Sequence, residues 1–360
     1  MKDLLGNSIE VNSNNDESDQ SMEDTGECYN EFVPGVHICE KVLNKEEYIT
    51  NISATNSSNP KVAVSSSDGN FHVLNLSENF CDVYELNNNS DHIVELKFDK
   101  LNDNLLWVAS HNGLINLWDL RSNKAVSTFS DTLDDKEDKD KKFNSFDISS
   151  SGNVLCAGTN KFEEDSFLLF WDIRKSELAG GFWESHMDDI TQVKFHPSDS
   201  NKMFSASMDG LINVYDLSRS SEEDALVDTL NTESSIEKIS VAQQGTGDVI
   251  SCITHTSDIQ FWKNEDVKPY LFFNRIELAS VFKKKSGVYI VDILPTRESI
   301  LLLLGYNRII KGFKLGKSSL EPYFGLVKNE QRLKCSWINE NTNLLLTGGE
   351  NGQIDAWKYA

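Results

Sequence analysis

Five side chains in one stretch of the sequence could perform hydrolytic chemistry: His186, Asp188, Asp189, Ser205 and Asp209. A serine that a histidine deprotonates, with an acid orienting the histidine, is the arrangement used by serine hydrolases. Polar residues of these types can also occur together because a fold places them there to satisfy one another's hydrogen bonds. The elements around these residues decide between the two interpretations.

Other signs of enzyme chemistry are weak. Gln244-Gly-Thr-Gly247 lacks the strand, helix and lysine of a phosphate-binding loop, and we expect a turn between two strands there. The six cysteines include no Cys-x-x-Cys pair, and no histidine cluster has metal-ligand spacing. Lys283-Lys-Lys285 could contact an acidic partner or RNA, or be a solvated loop. The sequence therefore predicts no catalytic residue, no cofactor and no metal.

A repeat runs through the whole chain. Seven times, a tight-turn signal precedes a short apolar run that ends in a large residue: Leu74, Trp118, Trp171, Tyr215, Trp262, Phe313 and Trp357. The successive gaps between these anchors are 44, 53, 44, 47, 51 and 44 residues. A period in the mid-forties with a Trp-Asp ending is typical of WD repeats, each of which forms one propeller blade. The sequence thus predicts an all-β fold, a seven-bladed β-propeller of four-stranded antiparallel blades.

Blade four has the clearest strand pattern. We predict strand a over 190–195, strand b over 202–205 and strand c over 211–215. Asp209-Gly210 predicts a two-residue turn between strands b and c whose central positions both favour positive φ. Blades five and six have the weakest signals, because Lys263 follows Trp262 and the turn before Phe313 lacks glycine.

The two ends of the chain are predicted to meet. Only three residues follow Trp357, so blade seven has strands a, b and c but no strand d. We expect residues 36–43 to supply the missing strand and to close the ring, which removes an open sheet edge.

Composition divides the chain into two predicted parts. Residues 1–34 contain nine acidic residues and one lysine, which predicts a disordered acidic tail before a propeller over 35–360. Residues 131–142 contain six acids and four lysines, which indicates an exposed insertion between blades two and three. The stretch 267–286 is longer than a simple connection between blades.

Charge narrows the classes of partner. The chain has 34 Lys and Arg against 57 Asp and Glu, a net charge of −23, which disfavours nucleic acid and favours basic proteins. Scattered cysteines suit a reducing compartment, the N-terminus lacks the apolar core of a secretory signal, and no apolar run could cross a bilayer. We expect a monomeric, intracellular protein of the cytoplasm, the nucleus or both, with protein partners and no membrane.

Several stretches resemble one group within the WD-repeat β-propeller family, that of WD repeat-containing protein 89 and its relatives. The stretches that carry the resemblance are Ser185–Ser198, Glu222–Val227, Cys156–Thr159, Phe170–Asp172, Leu346–Glu350 and Ala356–Lys358. The resemblance covers about residues 45 to 358 and implies a seven-bladed propeller. It says little about biochemistry, although some plant relatives have been linked to ribosome production.

The resemblance also accounts for the triad-like set. In WD-repeat propellers, a His before strand a, a Ser or Thr on strand b, an Asp at the b–c turn and a Trp on strand c form a buried chain of hydrogen bonds. His186, Ser205 and Asp209 match these positions, and Tyr215 replaces the Trp. Blade two keeps Trp118 and a His at position 92, but Val and Asn replace the Ser and the Asp, which predicts a broken chain there.

Two adjacent blades carry the motif Trp-Asp-x-Arg, with Asp119 and Arg121 in one and Asp172 and Arg174 in the other. The motif resembles a box in substrate receptors of cullin-RING ubiquitin ligases, in which the Arg contacts the ligase adaptor. The alternative is an exposed turn arginine that pairs locally or with water.

Two functional hypotheses follow. The first is a non-catalytic scaffold for protein–protein interaction, serving ribosome biogenesis or another multiprotein assembly. The second is a substrate receptor of a cullin-RING ubiquitin ligase. An enzyme working in the central channel is a third class, which a polar pocket with perturbed carboxylates would favour.

Overall fold

The structure is a computed structural model that describes residues 31–57, 59–76, 80, 83–86, 92–132, 141–244, 247–263 and 266–359. In these residues, 29 strands form seven sheets, and two short helices lie between strands. None of the described helices is both long enough and apolar enough to span a membrane. The predicted tail over 1–34 and the predicted insertion over 131–142 fall mostly outside the described residues, as do positions 245 and 246 of the predicted glycine turn.

Two strands, β1 (Val33–Pro34) and β2 (Val36–Val42), precede the blades. Blades one to three follow, each as strands a to d: β3 (Ile49–Ala54), β4 (Lys61–Ser66), β5 (Phe71–Asn75) and β6 (Val83–Leu86); β7 (Ile93–Phe98), β8 (Leu105–Ser110), β9 (Leu114–Asp119) and β10 (Lys124–Phe129); β11 (Phe143–Ile148), β12 (Val154–Thr159), β13 (Leu168–Asp172) and β14 (Glu177–Phe182). In each blade, the four strands pair antiparallel in chain order.

Blade four contains β15 (Ile190–Phe195), β16 (Lys202–Ser207), β17 (Leu211–Asp216), helix α1 (Glu222–Ala225) and β18 (Leu226–Asn231). The last three blades comprise β19 (Ile236–Gln244), β20 (Gly247–Thr254), β21 (Ile259–Lys263), β22 (Leu271–Phe273) and helix α2 (Arg275–Val281); β23 (Val288–Pro295), β24 (Ile300–Tyr306), β25 (Ile309–Leu315) and β26 (Leu320–Gly325); β27 (Leu333–Asn339), β28 (Leu344–Gly349) and β29 (Gln353–Lys358). Strand a of every blade contacts strand a of the next, and β27 of blade seven contacts β3 of blade one. The predicted seven-bladed propeller is confirmed.

The apolar core is divided into seven clusters, one between each pair of neighbouring blades. Each anchor of the sequence repeat lies in a different cluster and packs against the preceding blade. Trp171 of blade three, for example, packs against Trp107 and Phe129 of blade two. A large residue at the end of strand c is therefore the side chain that each blade contributes to the interface with the blade before it. This explains why the sequence repeats at this position.

The turns between strands b and c differ from the prediction. In blade four, Gly210 N–H donates to Ser207 O at 3.2 Å, and only Gly210 of the turn has a positive φ, +85°. The connection is thus a three-residue loop of Met208, Asp209 and Gly210, which is a tight turn followed by one left-handed residue. The prediction of a two-residue turn with two positive φ values was wrong. Asp209 instead uses its carboxylate to accept hydrogen bonds, including one from Leu211 N at 2.9 Å.

The long stretch before blade six contains helix α2. Asn274 begins it with a capping box, in which its Oδ1 accepts from Ile276 N and Glu277 N, both at 2.9 Å. Leu278 and Phe282 then pack into the cluster between blades five and six. Blade five has a strand d of only three residues, and the helix covers the apolar surface beside it.

The N-terminal segment adds one strand to each of two blades. Strand β2 pairs antiparallel with β29, with Val36 opposite Lys358 and Val42 opposite Gln353, so it is the predicted strand d of blade seven. Just before it, β1 pairs parallel with β26 and adds a fifth strand to blade six. Phe32 packs edge-on against Phe313, with ring centroids 5.3 Å apart.

Deletion of residues 36–43 should lower the melting temperature by at least about 10 °C, because it removes the β2–β29 pairing and several kcal/mol of burial and hydrogen bonding. Circular dichroism melts of the purified protein would measure this. The matched control removes eight residues from the predicted tail and should leave the melt unchanged. An unchanged melt in the 36–43 deletion would show that the ring does not depend on this strand.

Candidate functional site

Three of the triad-like residues meet inside blade four, together with Tyr215. His186 Nδ1 lies 2.9 Å from Asp209 Oδ2, and His186 Nε2 lies 2.7 Å from Ser205 Oγ. Ser205 Oγ donates in turn to Tyr215 OH at 3.3 Å. Asn213, which the sequence analysis did not include, donates to the same Tyr215 oxygen at 3.3 Å.

Asp188 and Asp189 do not join this chain of hydrogen bonds. The Asp189 carboxylate accepts from Lys161 N at 2.7 Å and from Asn160 Nδ2 at 3.2 Å, so it fastens the b–c loop of blade three. The Asp188 carboxylate accepts from the backbone of Asp189 at 2.9 Å. The geometry therefore separates the two aspartates from the histidine.

The chain of hydrogen bonds in blade four is closed to solvent. Ser205 and Tyr215 have no exposed surface, and the His186 side chain is fully buried. Burial alone would raise the pKa of Asp209, but hydrogen bonds from His186, Leu211 N and Met187 N keep that pKa below its ordinary value. A substrate could reach the serine only if the blade opened. The arrangement fixes the loop before β15 and does not present a nucleophile.

Blade two shows how a blade is built without this chain of hydrogen bonds. Val108 stands opposite Asn116 on the paired strands, as Ser205 stands opposite Asn213 in blade four. Trp118 Nε1 and Asn112 Oδ1 are both buried, and neither has a hydrogen-bond partner among the residues that the structure describes. The Trp118 ring packs edge-on against Phe71 with centroids 5.5 Å apart, so packing holds this blade.

Blade seven contains two separate sets of buried polar contacts that sequence reasoning missed. Trp357 Nε1 donates to Thr347 Oγ1 at 3.0 Å, and Gln331 Nε2 donates to Asp355 Oδ2 at 3.0 Å. His37 of strand β2 lies 3.1 Å from Asp355 Oδ1 and so joins the two ends of the chain. The sequence feature that could have revealed these contacts is Thr347 on strand b together with Trp357 on strand c. It was missed because a glutamine replaces the histidine that is usual in this arrangement.

His37, Glu40 and Asp355 also form a group of potential metal ligands, with their ligand atoms within 4.8 Å of one another. Both oxygens of Asp355 already accept amide N–H groups, from Gln331 at 3.0 Å and from Gln353 at 2.9 Å. The group therefore fits a hydrogen-bonded closure of the ring.

A β-bulge occurs at the same place in strand a of all seven blades. The residue after each bulge faces the central channel, and these seven residues form one ring: Asn51, Glu95, Ser145, Gln192, Lys238, Asp292 and Cys335. Two residues further along the strands, Ser53, Lys97, Asp147, Lys194 and Trp337 line the channel as well. Since strand side chains alternate between faces, the bulge decides which set points inward.

The channel-lining side chains join the blades to one another. Asp147 of blade three accepts from Phe195 N of blade four at 2.7 Å, and Gln192 of blade four accepts from Ile239 N of blade five at 2.6 Å. Contacts of the same kind or direct side-chain pairs connect the strands a of the other neighbouring blades: Ser53 Oγ to Phe98 N, Glu95 Oε2 to Phe146 N, Lys238 Nζ to Asp292 Oδ1, Ser336 Oγ to Asp292 Oδ2, and Cys335 Sγ to Ile49 O. The inner edge of each blade is thus fastened by its neighbour.

Ion pairs reinforce these links. Lys97 Nζ lies 3.0 Å from Glu95 Oε1 and 3.1 Å from Asp147 Oδ1. Burial alone would raise the pKa of both carboxyls, but nearby lysines, with Lys194 and Lys97 the strongest, hold both pKa values below the ordinary range. The channel is thus a polar site with perturbed carboxylates. These carboxylates stay ionised at neutral pH, which suits ion pairing and not proton donation.

The ring has two faces, because consecutive strands alternate in direction. Connections a–b and c–d lie on one face, named here the c–d face, and connections b–c and d–a lie on the other, named the b–c face.

Arg121 and Arg174 lie on the c–d face of adjacent blades. Each guanidinium forms a two-point pair with the aspartate two residues earlier, with Nη2–Oδ2 distances of 2.7 Å to Asp119 and 2.8 Å to Asp172.

Both arginines remain accessible while they pair locally, since their side chains are 68% and 67% exposed. The hydrogen bonds from Arg121 lower the pKa of Asp119 to about 2, and those from Arg174 lower the pKa of Asp172 in the same way. The four candidate partner-binding residues therefore form two matching Asp–Arg pairs. Each pair presents the outer side of a guanidinium to solvent.

The b–c face carries a surface that the sequence analysis did not identify, named here the acidic–aromatic patch. It surrounds a cavity of about 470 Å³ lined by Lys141, Phe162, Glu163, Glu164, Asp165, Phe167 and Trp183. The three acids and Trp183 are exposed. Lys141 Nζ lies 4.6 Å from the centroid of the Phe167 ring, so the patch already holds one cation against an aromatic face.

Comparison with known proteins identifies the family. The family description "WD domain, G-beta repeat" matches residues 180–216, which include strands a to c of blade four. WD repeat-containing protein GTS1 of Arabidopsis thaliana is 34% identical over 293 residues, which are 76% of this chain and 72% of that protein. The chain belongs to the WD-repeat family.

Two further relatives share this WD-repeat character over shorter alignments. WD repeat-containing protein 89 homolog of Dictyostelium discoideum is 27% identical over 223 residues, 61% of this chain and 57% of that protein. An uncharacterized WD repeat-containing protein of Saccharomyces cerevisiae is 35% identical over 118 residues, 32% of this chain and 28% of that protein. WD-repeat propellers generally bind other proteins and are generally non-catalytic.

Substitution His186→Ala should lower the free energy of unfolding by about 1–3 kcal/mol, because it leaves Ser205 and Asp209 without their buried partner. The matched control is His92→Ala, which removes the exposed histidine before strand a of blade two and should cost less than about 0.5 kcal/mol. Urea unfolding followed by tryptophan fluorescence would measure both. Equal losses in the two variants would contradict a stabilising role for the blade-four chain.

Proposed function

We propose that this WD-repeat protein is a non-catalytic scaffold that binds a basic protein segment through the acidic–aromatic patch. The proposal rests chiefly on one observation: Trp183 is 49% exposed beside Glu163, Glu164 and Asp165. A large aromatic side chain at a surface is costly to leave in water and is a frequent hot spot of binding. Next to three carboxylates, it suits an arginine or lysine side chain of a partner.

The backbone that carries Trp183 is held in place before any partner binds. Trp183 N and Glu184 N donate to the Glu222 carboxylate at 2.8 and 2.9 Å. Further along the same loop, Met187 N donates to Asp209, and Met187 is 76% exposed. A fixed loop loses little conformational entropy on binding, which favours affinity. Met187 adds apolar area beside the patch.

Net charge supports the choice of partner. A surface with a net charge of −23 attracts basic proteins over long distances and repels nucleic acid. Ribosomal proteins and their assembly factors are a basic class of this kind, and ribosome biogenesis is the assembly process that we favour. The cytoplasm and the nucleus are the proposed compartments.

Binding of a fluorescent Lys- and Arg-rich peptide should weaken at least tenfold in Trp183→Ala, as measured by fluorescence anisotropy at constant salt. The matched control is Leu101→Ala, which removes another exposed apolar side chain, 83% exposed, from the c–d face. Binding should also weaken steadily with salt. Equal affinities for the wild type and Trp183→Ala, or equal binding of an acidic peptide, would rule out this site.

A second candidate function is that of a substrate receptor of a cullin-RING ubiquitin ligase. The observation that favours it is the matching geometry of Arg121 and Arg174 on adjacent blades of one face. A forked cation on a rigid turn can bind an acidic or carbonyl-rich surface of an adaptor.

Charge reversal, Arg121→Glu with Arg174→Glu, should abolish co-purification with the ligase adaptor and leave the melting temperature unchanged. Arg219→Glu is the matched control, since Arg219 pairs with Asp216 at 3.3 Å on the same face of blade four and is 57% exposed. If the wild-type protein does not co-purify with the adaptor, the receptor hypothesis fails.

A further inference from the structure

The central channel differs in charge from the rest of the protein. A cavity of about 470 Å³ is lined by residues of strand a, or directly after it, in all seven blades. Its charged residues are five lysines and three acids: Lys97, Lys100, Lys194, Lys238, Lys334, Glu95, Asp147 and Asp292. Lys334 pairs with Glu350 outside the cavity, so the other charged residues of the lining leave an excess of 4 − 3 = +1, in a chain whose net charge is −23.

Each of the three carboxylates in the channel already accepts at least two hydrogen bonds from the protein. Asp292 accepts from Lys238 Nζ at 2.6 Å, Ile293 N at 2.9 Å and Ser336 Oγ at 3.1 Å. Glu95 and Asp147 each accept from a lysine and from a backbone N–H of the next blade. All three carboxylates are therefore already engaged with protein donors.

Two lysines retain donors that these acids do not use. In the described residues, the Lys194 ammonium has one polar contact, 3.4 Å from Glu95 Oε1. The Lys238 ammonium likewise has one, to Asp292. Each ammonium carries three N–H donors, so several donors face the channel without a protein acceptor. Water can accept from these donors, but an anion would also supply negative charge beside the two ammonium groups.

The electrostatic surroundings of Lys194 also favour a bound anion. Burial lowers the pKa of Lys194, and the nearby positive charges of Lys97 and Lys238 lower it further, so that the pKa lies below the ordinary value despite Glu95 and Asp147. A negative ion between these ammonium groups would relieve the repulsion. An aqueous chloride could do so in part, but a tetrahedral oxyanion offers several acceptors to two lysines at once.

We propose that the central channel is a binding site for a small phosphate-class oxyanion, held between the ammonium groups of Lys194 and Lys238. Lys194 comes from blade four and Lys238 from blade five, so the ion would bridge the inner strands of two neighbouring blades. The position of both lysines along the channel wall, with side chains 23% and 38% exposed, leaves them accessible to a small ion. This site is independent of the acidic–aromatic patch, and either can be present without the other.

Binding is tested by isothermal titration calorimetry at constant ionic strength, set with potassium chloride. Inorganic phosphate and glycerol 3-phosphate are the two probes, which distinguish the free ion from a phosphate ester. We expect saturable binding of at least one probe by the wild-type protein. Lys194→Met should weaken it at least tenfold, because that variant removes the charge and the unused donors, while its one direct protein contact is the 3.4 Å pair with Glu95.

The control variant carries Lys283→Gln, Lys284→Gln and Lys285→Gln, which neutralise the exposed basic cluster after helix α2. Lys283 is 86% exposed, so this cluster is the rival location for an anion. It should bind phosphate as the wild type does. Any of three results would overturn the proposal: no detectable binding of either probe in the potassium chloride buffer, equal binding by the wild type and Lys194→Met, or loss of binding in the triple variant.

A second measurement uses the wild-type protein and does not depend on the folding of any variant. Acetic anhydride acetylates accessible neutral amines, and mass spectrometry gives the rate at each lysine. Phosphate should slow the acetylation of Lys194 and Lys238 at least severalfold and leave Lys283 unchanged. Unchanged rates at Lys194 and Lys238 would overturn the proposal.

Discussion

The inner edges of the seven strands a impose the constraint on which this propeller depends. Each strand a pairs with strand b on one side only, so its other edge would leave N–H groups unpaired along the central channel. A buried unpaired donor costs about 1–3 kcal/mol, and several donors are concerned. The structure satisfies them with side chains of the neighbouring blade, as where Asp147 accepts from Phe195 N and Gln192 accepts from Ile239 N. Closure of the ring and the polarity of its channel therefore have one cause.

The charges in the channel follow from this requirement. Carboxylates such as Glu95 and Asp147 are strong acceptors for backbone N–H groups, but a buried carboxylate needs a cation nearby. Lys97 supplies it to both, and the further lysines bring the lining beyond neutrality. The lowered pKa values of the carboxyls mean that the ion pairs form at neutral pH. A channel built to hold the blades together thus acquires unused donors, which are the basis for an anion site.

The buried polar chain of blade four connects the core with the b–c face. Its histidine and serine are closed to substrate, but Asp209 also holds the backbone of Met187. Glu222, at the start of helix α1, holds the backbone of Trp183 in the same loop. Groups that suggest catalysis in the sequence therefore position a surface loop in the structure. The same loop carries the exposed aromatic and apolar side chains on which the proposed scaffold function rests.

The sequence by itself determined the number of blades, the position of the large residue in strand c, and the strand that closes blade seven. These features depend on local patterns: a turn signal, a short apolar run, and a missing strand after Trp357. Through the family resemblance, the sequence also predicted correctly that His186, Ser205 and Asp209 meet. The predicted type of turn at Asp209 was wrong. Only the tertiary structure decided which residues line the channel, because the bulge in each strand a shifts the alternation of the side chains that follow it. The tertiary structure alone also revealed the contact between His37 and Asp355, which are 318 positions apart, because closure of the ring brings these segments together.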